Sequence, residues 1–441
     1  MLKMKTTKRY DKYKDSGIEW IGEIPDSWCV RKLNSLLNAI GSGTTPKGND
    51  NYYDGDIYWL NTGDLNDSYI STINKTVTEI ALQECSTLKL LPKDSVVIAM
   101  YGATIGKLGI LMFPATTNQA CCVMSCSDQL NNEYLFYLLF AAREFIINLS
   151  YGAGQPNISQ ETIKSFRLSF PSIKEQEAIA GYLDRKCGVI DETIEKQMLV
   201  IEKLKEYKQS IITQAVTKGL DKSAPMKDSG IEWIGQIPQH WEIEKLKKMV
   251  KMPLQYGANE SGEDYNPKYP RYIRITDIKI ENNLLKDDGK LSLSPEKAKD
   301  YLLSNNDILF ARSGATVGKT FLYKEEYGKS AFAGYLIRAS FKDNVVPKYV
   351  YYYTLSYSYE EWKRRIFVQA TIQNIGANKY NQLEIPYCSL SEQKLIAEFL
   401  DKKCSEIDKT IADKEKLIEK LVEYKKSLIY ECVTGKRKVV A

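Results

Sequence analysis

The chain contains the same module twice, and this duplication constrains its fold more than any other feature. The segment DSGIEWIGEIPDSW at 15–28 returns as DSGIEWIGQIPQHW at 228–241, with eleven of the fourteen residues identical. A second block, SIKEQEAIAGYLDRKCGVIDETI from Ser172, returns as SLSEQKLIAEFLDKKCSEIDKTI from Ser389, with 13 of 23 residues identical. Similarity at a fixed period is the signature of a repeated structural unit. Two copies of about 215 residues therefore fill the 441-residue chain.

The middle of each copy diverges, whereas its two ends are closely similar. Ser95–Ala99 and Asp307–Phe310 predict buried strands, separated from neighbouring segments by Gly, Asn, Asp and Pro turns. Leu130–Leu149 and Lys348–Phe367 predict helices. We interpret the aromatic-rich run Tyr349–Trp362 as a core-facing helix and not as a surface for stacking bases. Each middle is therefore predicted to be a mixed α/β domain.

The second block of each copy predicts a long helix that packs as a coiled coil. It starts with the S-x-x-E capping pattern, at Ser172–Glu175 and Ser389–Glu392. Apolar residues then recur at alternating heptad positions: Ile190, Ile194, Ile201, Leu204 and Ile211 in the first copy, and Ile407, Ile411, Ile418, Leu421 and Leu428 in the second. Four such heptads with charged flanks predict that the helices bury these stripes on each other. Pseudo-twofold repetition makes the pairing antiparallel, with a globular domain expected at each end.

The composition argues against several classes of function. The one histidine, His240, takes the place of Ser27 in the first copy, so the module has poor means for acid–base catalysis or a histidine-based metal site. Nine Cys without a paired framework are typical of reduced thiols in a cytosol, and the cluster Cys121, Cys122 and Cys126 lacks the partners of a zinc site. No apolar run approaches 18 residues and the polar start is no secretory signal, so we expect a cytoplasmic protein without membrane contact. The net charge of +5 permits a nucleic-acid partner without demonstrating one.

Candidate catalytic motifs fail on their spacing. The segment SGATVGKT at 313–320 has three residues between its glycines, whereas a phosphate loop needs four. No Asn/Asp-Pro-Pro-aromatic segment or glycine-rich cofactor turn of a methyltransferase is present. The nuclease-like E-x-K pairs at 206–208 and 423–425 lie on the predicted long helices, where ion pairing explains them. We therefore predict no catalytic residue, no metal and no cofactor.

The repeated motifs resemble the DNA-specificity (S) subunit of type I restriction–modification systems. The resemblance covers nearly the whole chain and rests on the S-G-I-E-W-I-G-x-I-P-x-x-W segments, the G-A-T-[IV]-G-K turns at 102–107 and 314–319, and the E-Q-x-x-I-A-x-[YF]-L-D blocks. It implies α/β (α+β) target-recognition domains in tandem duplicate, separated by two long antiparallel coiled-coil helices. Here the domains would be residues 1–171 and 221–388, and the helices residues 172–220 and 389–441.

The resemblance also implies a non-catalytic subunit that reads a split site on double-stranded DNA. Two methylation subunits would dock on the repeated frame, and restriction subunits would join the full complex. From Ile190 to Val216 the helix would span about 40 Å. One turn of DNA is about 34–36 Å, so such a spacer would hold two readers about one turn apart. An alternative that stays open is a two-headed non-catalytic module that binds RNA, or a glycan through exposed Trp and Tyr.

Polar residues in turn-rich parts of the middles are the candidate DNA contacts. Arg suits the O6/N7 edge of guanine and Asn or Gln the N6/N7 edge of adenine, whereas Lys more plausibly contacts phosphate. The first-copy candidates are Thr44, Thr45, Lys47, Asn61, Thr62, Lys107, Gln155 and Asn157. The second-copy candidates are Arg271, Arg274, Thr276, Arg312, Ser313, Lys319, Gln373 and Asn374. Asp64 and Asp277 recur in two readers of different sequences, so we interpret them as structural.

Overall fold

Two helices of 46 and 44 residues, Ile173–Lys218 and Leu390–Val433, dominate the computed structural model of this chain. The structure describes residues 8–149, 157–279, 282–368 and 373–439. All ten residues of the predicted apolar stripes are buried or half-buried. The prediction of two long helices with apolar seams is therefore confirmed.

Tertiary contacts divide the chain into two units that do not follow sequence order. The first unit contains Met1–Gln197 together with Lys416–Ala441, and the second contains Met198–Glu415. Each unit thus holds one middle and one part of each long helix. The first unit is completed by the far end of the chain, whereas the second is continuous.

Within the first unit, the two long helices run antiparallel and are joined by an ion pair. Lys425 Nζ lies 2.6 Å from Asp191 Oδ2. Cys187, one turn before Asp191, lies close to Cys432, which follows Lys425 on the other helix. The second unit has the equivalent ion pair, in which Lys208 Nζ lies 2.6 Å from Asp408 Oδ2.

These ion pairs correct our interpretation of the E-x-K spacing. We expected pairing along one helix, but Lys208 bonds an aspartate 200 residues away on the other helix. Glu206 instead pairs with Lys203, one turn back on its own helix, at 2.8 Å. Spacing within one helix cannot reveal a partner on another. The cross-helix pairs are partly exposed and contribute about 0.2–1 kcal/mol each, so their larger effect is to favour one helix register.

The middle of the first unit is built on a five-stranded sheet. Its strands are, in spatial order, Leu37–Gly41, Cys121–Cys126, Val96–Ala99, Leu108–Leu111 and Ser68–Ile70. A three-stranded sheet contains Thr116–Thr117, Tyr53–Leu60 and Thr76–Val77, and two ladders pair Tyr13–Asp15 with Glu23–Pro25 and Cys29–Lys32 with Arg167–Phe170. The helices are Glu79–Glu84, Asn132–Asn148 and Gln160–Ser165, with short 3-10 turns at Leu33–Leu36, Asp50–Tyr52 and Thr62–Asp64. Asn132–Asn148 packs on the five-stranded sheet, which confirms the predicted helix.

The middle of the second unit repeats this plan with a smaller main sheet. That sheet orders Gln255–Tyr256, Leu336–Ala339, Ile308–Ala311 and Thr320–Leu322, all antiparallel. A second sheet orders Glu263–Asp264, Leu291–Ser292, Arg271–Ile273 and Ser330–Phe332, and two ladders pair Met226–Asp228 with Gln236–Pro238 and Glu242–Lys245 with Glu384–Tyr387. The helices are Leu246–Met249, Pro295–Ala298, Pro347–Tyr353, Tyr357–Val368 and Ala377–Tyr380, with 3-10 turns at Ile275–Asp277, Lys299–Tyr301 and Glu325–Tyr327.

The helix predicted at 348–367 is two helices separated by a short break. The first helix ends at Tyr353, and Ser356 caps the second, because its Oγ accepts a hydrogen bond from the N–H of Tyr359 at 3.3 Å. The aromatic run is core as interpreted, since Tyr349, Tyr353 and Tyr359 are fully buried. These rings cannot offer a platform for stacking bases.

Each long helix begins with a glutamate that anchors a buried tryptophan of the opening segment. Trp28 Nε1 donates to Glu175 Oε1 at 3.4 Å, and Trp241 Nε1 donates to Glu392 Oε1 at 3.2 Å. In the second copy the predicted cap is formed as well, because Ser389 Oγ accepts from the Glu392 N–H at 3.3 Å. The two blocks that repeat most closely in sequence are therefore in direct contact in each unit.

The glutamine that follows each of these glutamates fastens the middle domain to the long helix. Gln393 is fully buried. Its Oε1 accepts from the Val346 N–H at 2.8 Å, and its Nε2 donates to the Cys388 carbonyl at 2.9 Å. Gln176 makes the equivalent bonds to the Asn131 N–H and the Pro171 carbonyl. This contact is the physical reason for the repeated E-Q pair.

Replacing this glutamine should destabilise the unit that contains it. In Gln393→Leu, a buried N–H and a buried carbonyl lose their partners, at about 1–3 kcal/mol each. We expect the free energy of unfolding of the second unit to fall by about 2–4 kcal/mol, measured by urea denaturation. Gln214→Leu, at an exposed site on the other long helix, is the matched control and should change stability by less than about 0.5 kcal/mol. Equal effects of the two substitutions would contradict the fastening role.

Contacts between the two ends of the chain close the first unit. Tyr13 Oη donates to the carbonyl of Gly435 at 3.0 Å, and the N–H of Lys438 donates to the carbonyl of Lys8 at 2.8 Å. A β-carbon on Gly435 would lie 2.2 Å from Pro25 Cδ, and its φ is 72°. Only glycine fits both this close approach and this backbone conformation.

Candidate nucleic-acid interface

The G-A-T-x-G-K turns form the same hairpin tip in both units. Gly106 N–H donates to the Ala99 carbonyl and Gly318 N–H donates to the Ala311 carbonyl, each at 2.8 Å. The four glycines of the turns have φ values of 77° to 82°, a region that glycine adopts without strain. The motif thus recurs in two divergent middles because both hairpins need this backbone path.

The lysines that end these turns carry available positive charge. Lys107 is exposed and Lys319 is half-buried. Neither ammonium group has a hydrogen-bond or ion-pair partner among the residues that the structure describes. Burial lowers the pKa of neighbouring Lys363, and the charge of Lys319 acts in the same direction. An anion placed beside Lys319 would relieve this repulsion, which suits contact with a phosphate.

A second segment lies beside each turn and brings further candidates to it. The N–H of Ile158 donates to the Met100 carbonyl, and the N–H of Ile375 donates to the Arg312 carbonyl, both at 2.8 Å. These bonds place the exposed Asn157 beside the first turn. In the second unit they bring together Arg312, Ser313, Gln373 and Asn374, of which the last two are exposed. The candidate Gln155 lies outside the described residues.

Two other arginine candidates are engaged within the protein. Arg271 is buried and donates to the carbonyl of Lys286. Arg274 Nη2 donates to Asp277 Oδ1 at 2.7 Å, while Asp277 Oδ2 accepts from the Arg274 N–H at 2.8 Å. The same backbone cap is present in the first copy, which agrees with our interpretation of both aspartates as structural. The remaining candidate of this group, Thr276, is exposed.

Two of the first-unit candidates before the turn, Thr45 and Asn61, contact amide side chains that the sequence analysis did not single out. Thr45 Oγ1 donates to Gln119 Oε1 at 2.8 Å, and Asn118 Nδ2 donates to Asn61 Oδ1 at 3.1 Å. The carbonyl of the adjacent candidate Thr44 accepts a hydrogen bond from Trp59 Nε1 at 3.1 Å. The candidates Lys47 and Thr62 are exposed and half-buried, respectively. Asn118 and Gln119 follow a two-residue strand, which is too short to show a period-two pattern.

The described residues offer no metal site. No group of three or more His, Cys, Asp or Glu among them is placed to hold an ion. Cys121, Cys122 and Cys126 lie along one strand, and burial raises the pKa of Cys122 and Cys126 to about 12. Zinc binds the thiolate, which such burial disfavours. In the same residues, no helix has the length and apolar character needed to cross a membrane.

Comparisons with known proteins agree with the two-copy architecture. The family model for the type I restriction modification DNA specificity domain matches twice, at residues 25–203 and 238–421. The MjaIX specificity subunit of a type I restriction enzyme from Methanocaldococcus jannaschii is 28% identical over 309 residues, 67% of this chain and 68% of that protein. The putative MjaX specificity subunit from the same organism is 28% identical over 432 residues, 95% of this chain and 96% of that protein.

Solved structures show the same fold at low sequence identity. A chain from a study of complex assembly and conformational transition of the type I R-M system superposes with a TM-score of 0.72 at 13% identity, covering 93% of this chain and 98% of that one. The HsdS subunit from Thermoanaerobacter tengcongensis gives a TM-score of 0.51 at 14% identity, with the same coverage. The family model matches once in each copy, and the two matches together cover most of the chain. The chain therefore belongs to the type I restriction–modification DNA-specificity family.

Proposed function

We propose that this chain is the DNA-reading subunit of a type I restriction–modification complex, in which each middle reads one half of a split double-stranded site. The observation that carries the proposal is that both units have the same backbone arrangement around the turn but different side chains on it. Both units place a G-A-T-x-G-K turn beside a second polar segment, but Met100 in the first occupies the position of Arg312 in the second. Two readers of different half-sites need this combination, because a shared frame sets the geometry and the side chains choose the bases.

The parts of the chain that repeat closely bind two copies of the same partner. Two methylation subunits dock on the long helices and opening segments, and restriction subunits complete the assembly. Tyr207 and Tyr424 occupy equivalent positions on the two long helices and are 57% and 49% exposed. Large aromatic side chains are favourable anchors at protein interfaces, so their repetition supports two equivalent docking points.

The chain itself contributes recognition and no chemistry, and it acts in the cytoplasm. The glycan-binding alternative has less support from tryptophan, since four of the six tryptophans are buried and Trp20 and Trp233 are half-buried, whereas tyrosines such as Tyr207 and Tyr424 are well exposed. The aromatic run of the second middle offers RNA no stacking platform, because most of its rings lie in the core.

Methylation by the assembled complex tests the proposal. The purified chain, given methyl donor, magnesium and ATP, should neither methylate nor cleave DNA. Together with its methylation subunits, it should direct methylation to one split sequence, read by methylome sequencing. DNA binding should weaken steeply with salt, because phosphate contacts release counterions. Turnover by the isolated chain, or a complex whose methylation shows no split site, would contradict the proposal.

A further inference from the structure

The guanidinium of Arg312 is positioned by an aromatic ring and has no hydrogen-bond partner among the residues that the structure describes. Its central carbon lies 5.0 Å from the ring centroid of Tyr256, within the distance of a cation–π contact. Tyr256 is itself fixed, because its Oη accepts from the N–H of Ala377 at 2.9 Å and its backbone pairs with Ile337 in the main sheet. Arg312 Nε is buried, and no described group accepts a hydrogen bond from the guanidinium.

The other arginines of the second unit all have acceptors within the protein. Carbonyl or carboxylate groups accept from Arg271, Arg274, Arg338, Arg364 and Arg365. A guanidinium is always charged and carries five donors, so leaving it half-buried without an acceptor is unfavourable. Among the described residues of this unit, Arg312 is therefore the arginine whose N–H donors are available to an acceptor on a bound ligand.

The two copies differ at this position in a way that favours a base over a phosphate. Met100 and Arg312 have the same backbone hydrogen bond to the neighbouring segment, yet Met100 is buried and apolar. The lysine that ends each turn is present in both copies. Contacts to phosphate are needed in both half-sites, whereas contacts to bases differ between them. Arg312, which only the second copy has, therefore suits contact with a base. The turn lysines, which both copies share, suit contact with the DNA phosphates.

We propose that Arg312, held over the Tyr256 ring, reads a guanine in the major groove of the second half-site. Two of its N–H groups donate to O6 and N7 of that guanine, the acceptor pair that matches the planar guanidinium. Tyr256 is a positioning residue, because it fixes the plane of the guanidinium. This inference rests on the proposed function and names the base at one position of the site.

A change in the DNA tests the contact without altering the protein. The wild-type complex with its methylation subunits is first used to map the site, which must contain a G·C pair in the second half-site. Each guanine there is then replaced by 7-deazaguanine, which lacks the N7 acceptor but keeps base pairing. We expect one replacement to weaken binding about 10-fold or more and the others to have little effect. A second half-site without guanine, or indifference to every replacement, would overturn the inference.

Protein variants then assign the contact to Arg312. Arg312→Ala should weaken binding to the native site about 10- to 100-fold and remove discrimination at that base pair alone. Arg312→Lys keeps the charge but not the planar pair of donors, so discrimination should still be lost. Tyr256→Phe keeps the ring and should retain discrimination, whereas Tyr256→Ala should lose it. Lys319→Ala is the matched control, because loss of a phosphate contact weakens all sequences alike and reduces the salt dependence.

The outcomes separate this inference from the proposed function. If Arg312→Ala weakens every sequence equally, Arg312 contacts phosphate and the base assignment is wrong. If Arg312→Ala retains discrimination, Arg312 is not the reader, although an unchanged split site in the methylation map would leave the proposed function standing. If the methylation map of the wild-type complex showed no split site, both the inference and the proposed function would be wrong. The first half-site should be read normally by every variant. Hydrogen exchange of the strand Ile308–Ala311 checks that the second unit of each variant is folded.

Discussion

Replacing residues 33–166 with residues 246–383 of the same chain is expected to give a complex that methylates a site built from two copies of the second half-site. The exchange points are equivalent in the two units. The N–H of Leu33 donates to the Phe166 carbonyl at 2.9 Å, and the N–H of Leu246 donates to the Leu383 carbonyl at 2.8 Å. Each segment is flanked by the same two-stranded ladder, so the exchange preserves the ladders and both long helices.

Methylome sequencing gives a sharp result for this exchange. Each base pair that is read incorrectly typically weakens binding by about 1–3 kcal/mol, so methylation of the original site should fall to background. The reciprocal chain, with residues 33–166 in both positions, is the matched control and should methylate two copies of the first half-site. A folded exchange variant that still methylates the original site would show that the middles do not choose the bases.

Ending the chain before Lys416 is expected to unfold the first unit while the second remains folded. The deleted helix end supplies Leu428, Ile429, Cys432 and Val433, all essentially fully buried in the main core of the first unit. At about 1.5–3 kcal/mol for each of the three aliphatic side chains, the loss is comparable with the whole stability of a typical domain. The second unit consists of residues that come before the deletion.

Hydrogen exchange measured by mass spectrometry distinguishes the two units in this truncated chain. Amides of the strands Val96–Ala99 and Leu108–Leu111 should lose protection, whereas those of Ile308–Ala311 should keep it. A chain that ends after Val439 is the control and should match the full-length protein. Retained protection in the first unit would mean that its core does not depend on the far end of the chain.

Local patterns were sufficient where structure follows from neighbours in sequence. The heptad stripes and the helix from Asn132 were predictable from a helical period in the apolar residues. The buried strands at 96–99 and 308–311 were predictable as short apolar runs bounded by turn residues. The single predicted helix at 348–367 was wrong in one respect, since a serine cap interrupts it. A serine in a helical pattern is common, so no local pattern indicated a break there.

Long-range contacts could not be predicted from these patterns. The bond from Trp28 to Glu175 spans 147 residues, and that from Lys425 to Asp191 spans 234. The engagement of Arg274 by Asp277 lies close in sequence, but the three-residue spacing alone does not distinguish it from a free surface arginine. For the candidate DNA contacts, residue type therefore indicated which side chains suit a base. Only the fold showed which of their donors remain unpaired.

Residue order alone establishes that this protein is a duplicated module with two long helices, two divergent α/β middles and no recognisable catalytic motif. Repetition and periodicity are properties of the chain order, so they can be read without coordinates. The three-dimensional fold shows that the last helix end completes the first unit and that Arg312, among the six arginines of the second unit, has no acceptor among the described residues. Both depend on which distant residues come together. That is fixed by burial of apolar surface and by pairing of buried polar groups throughout each unit, and not by the spacing of residues along the chain.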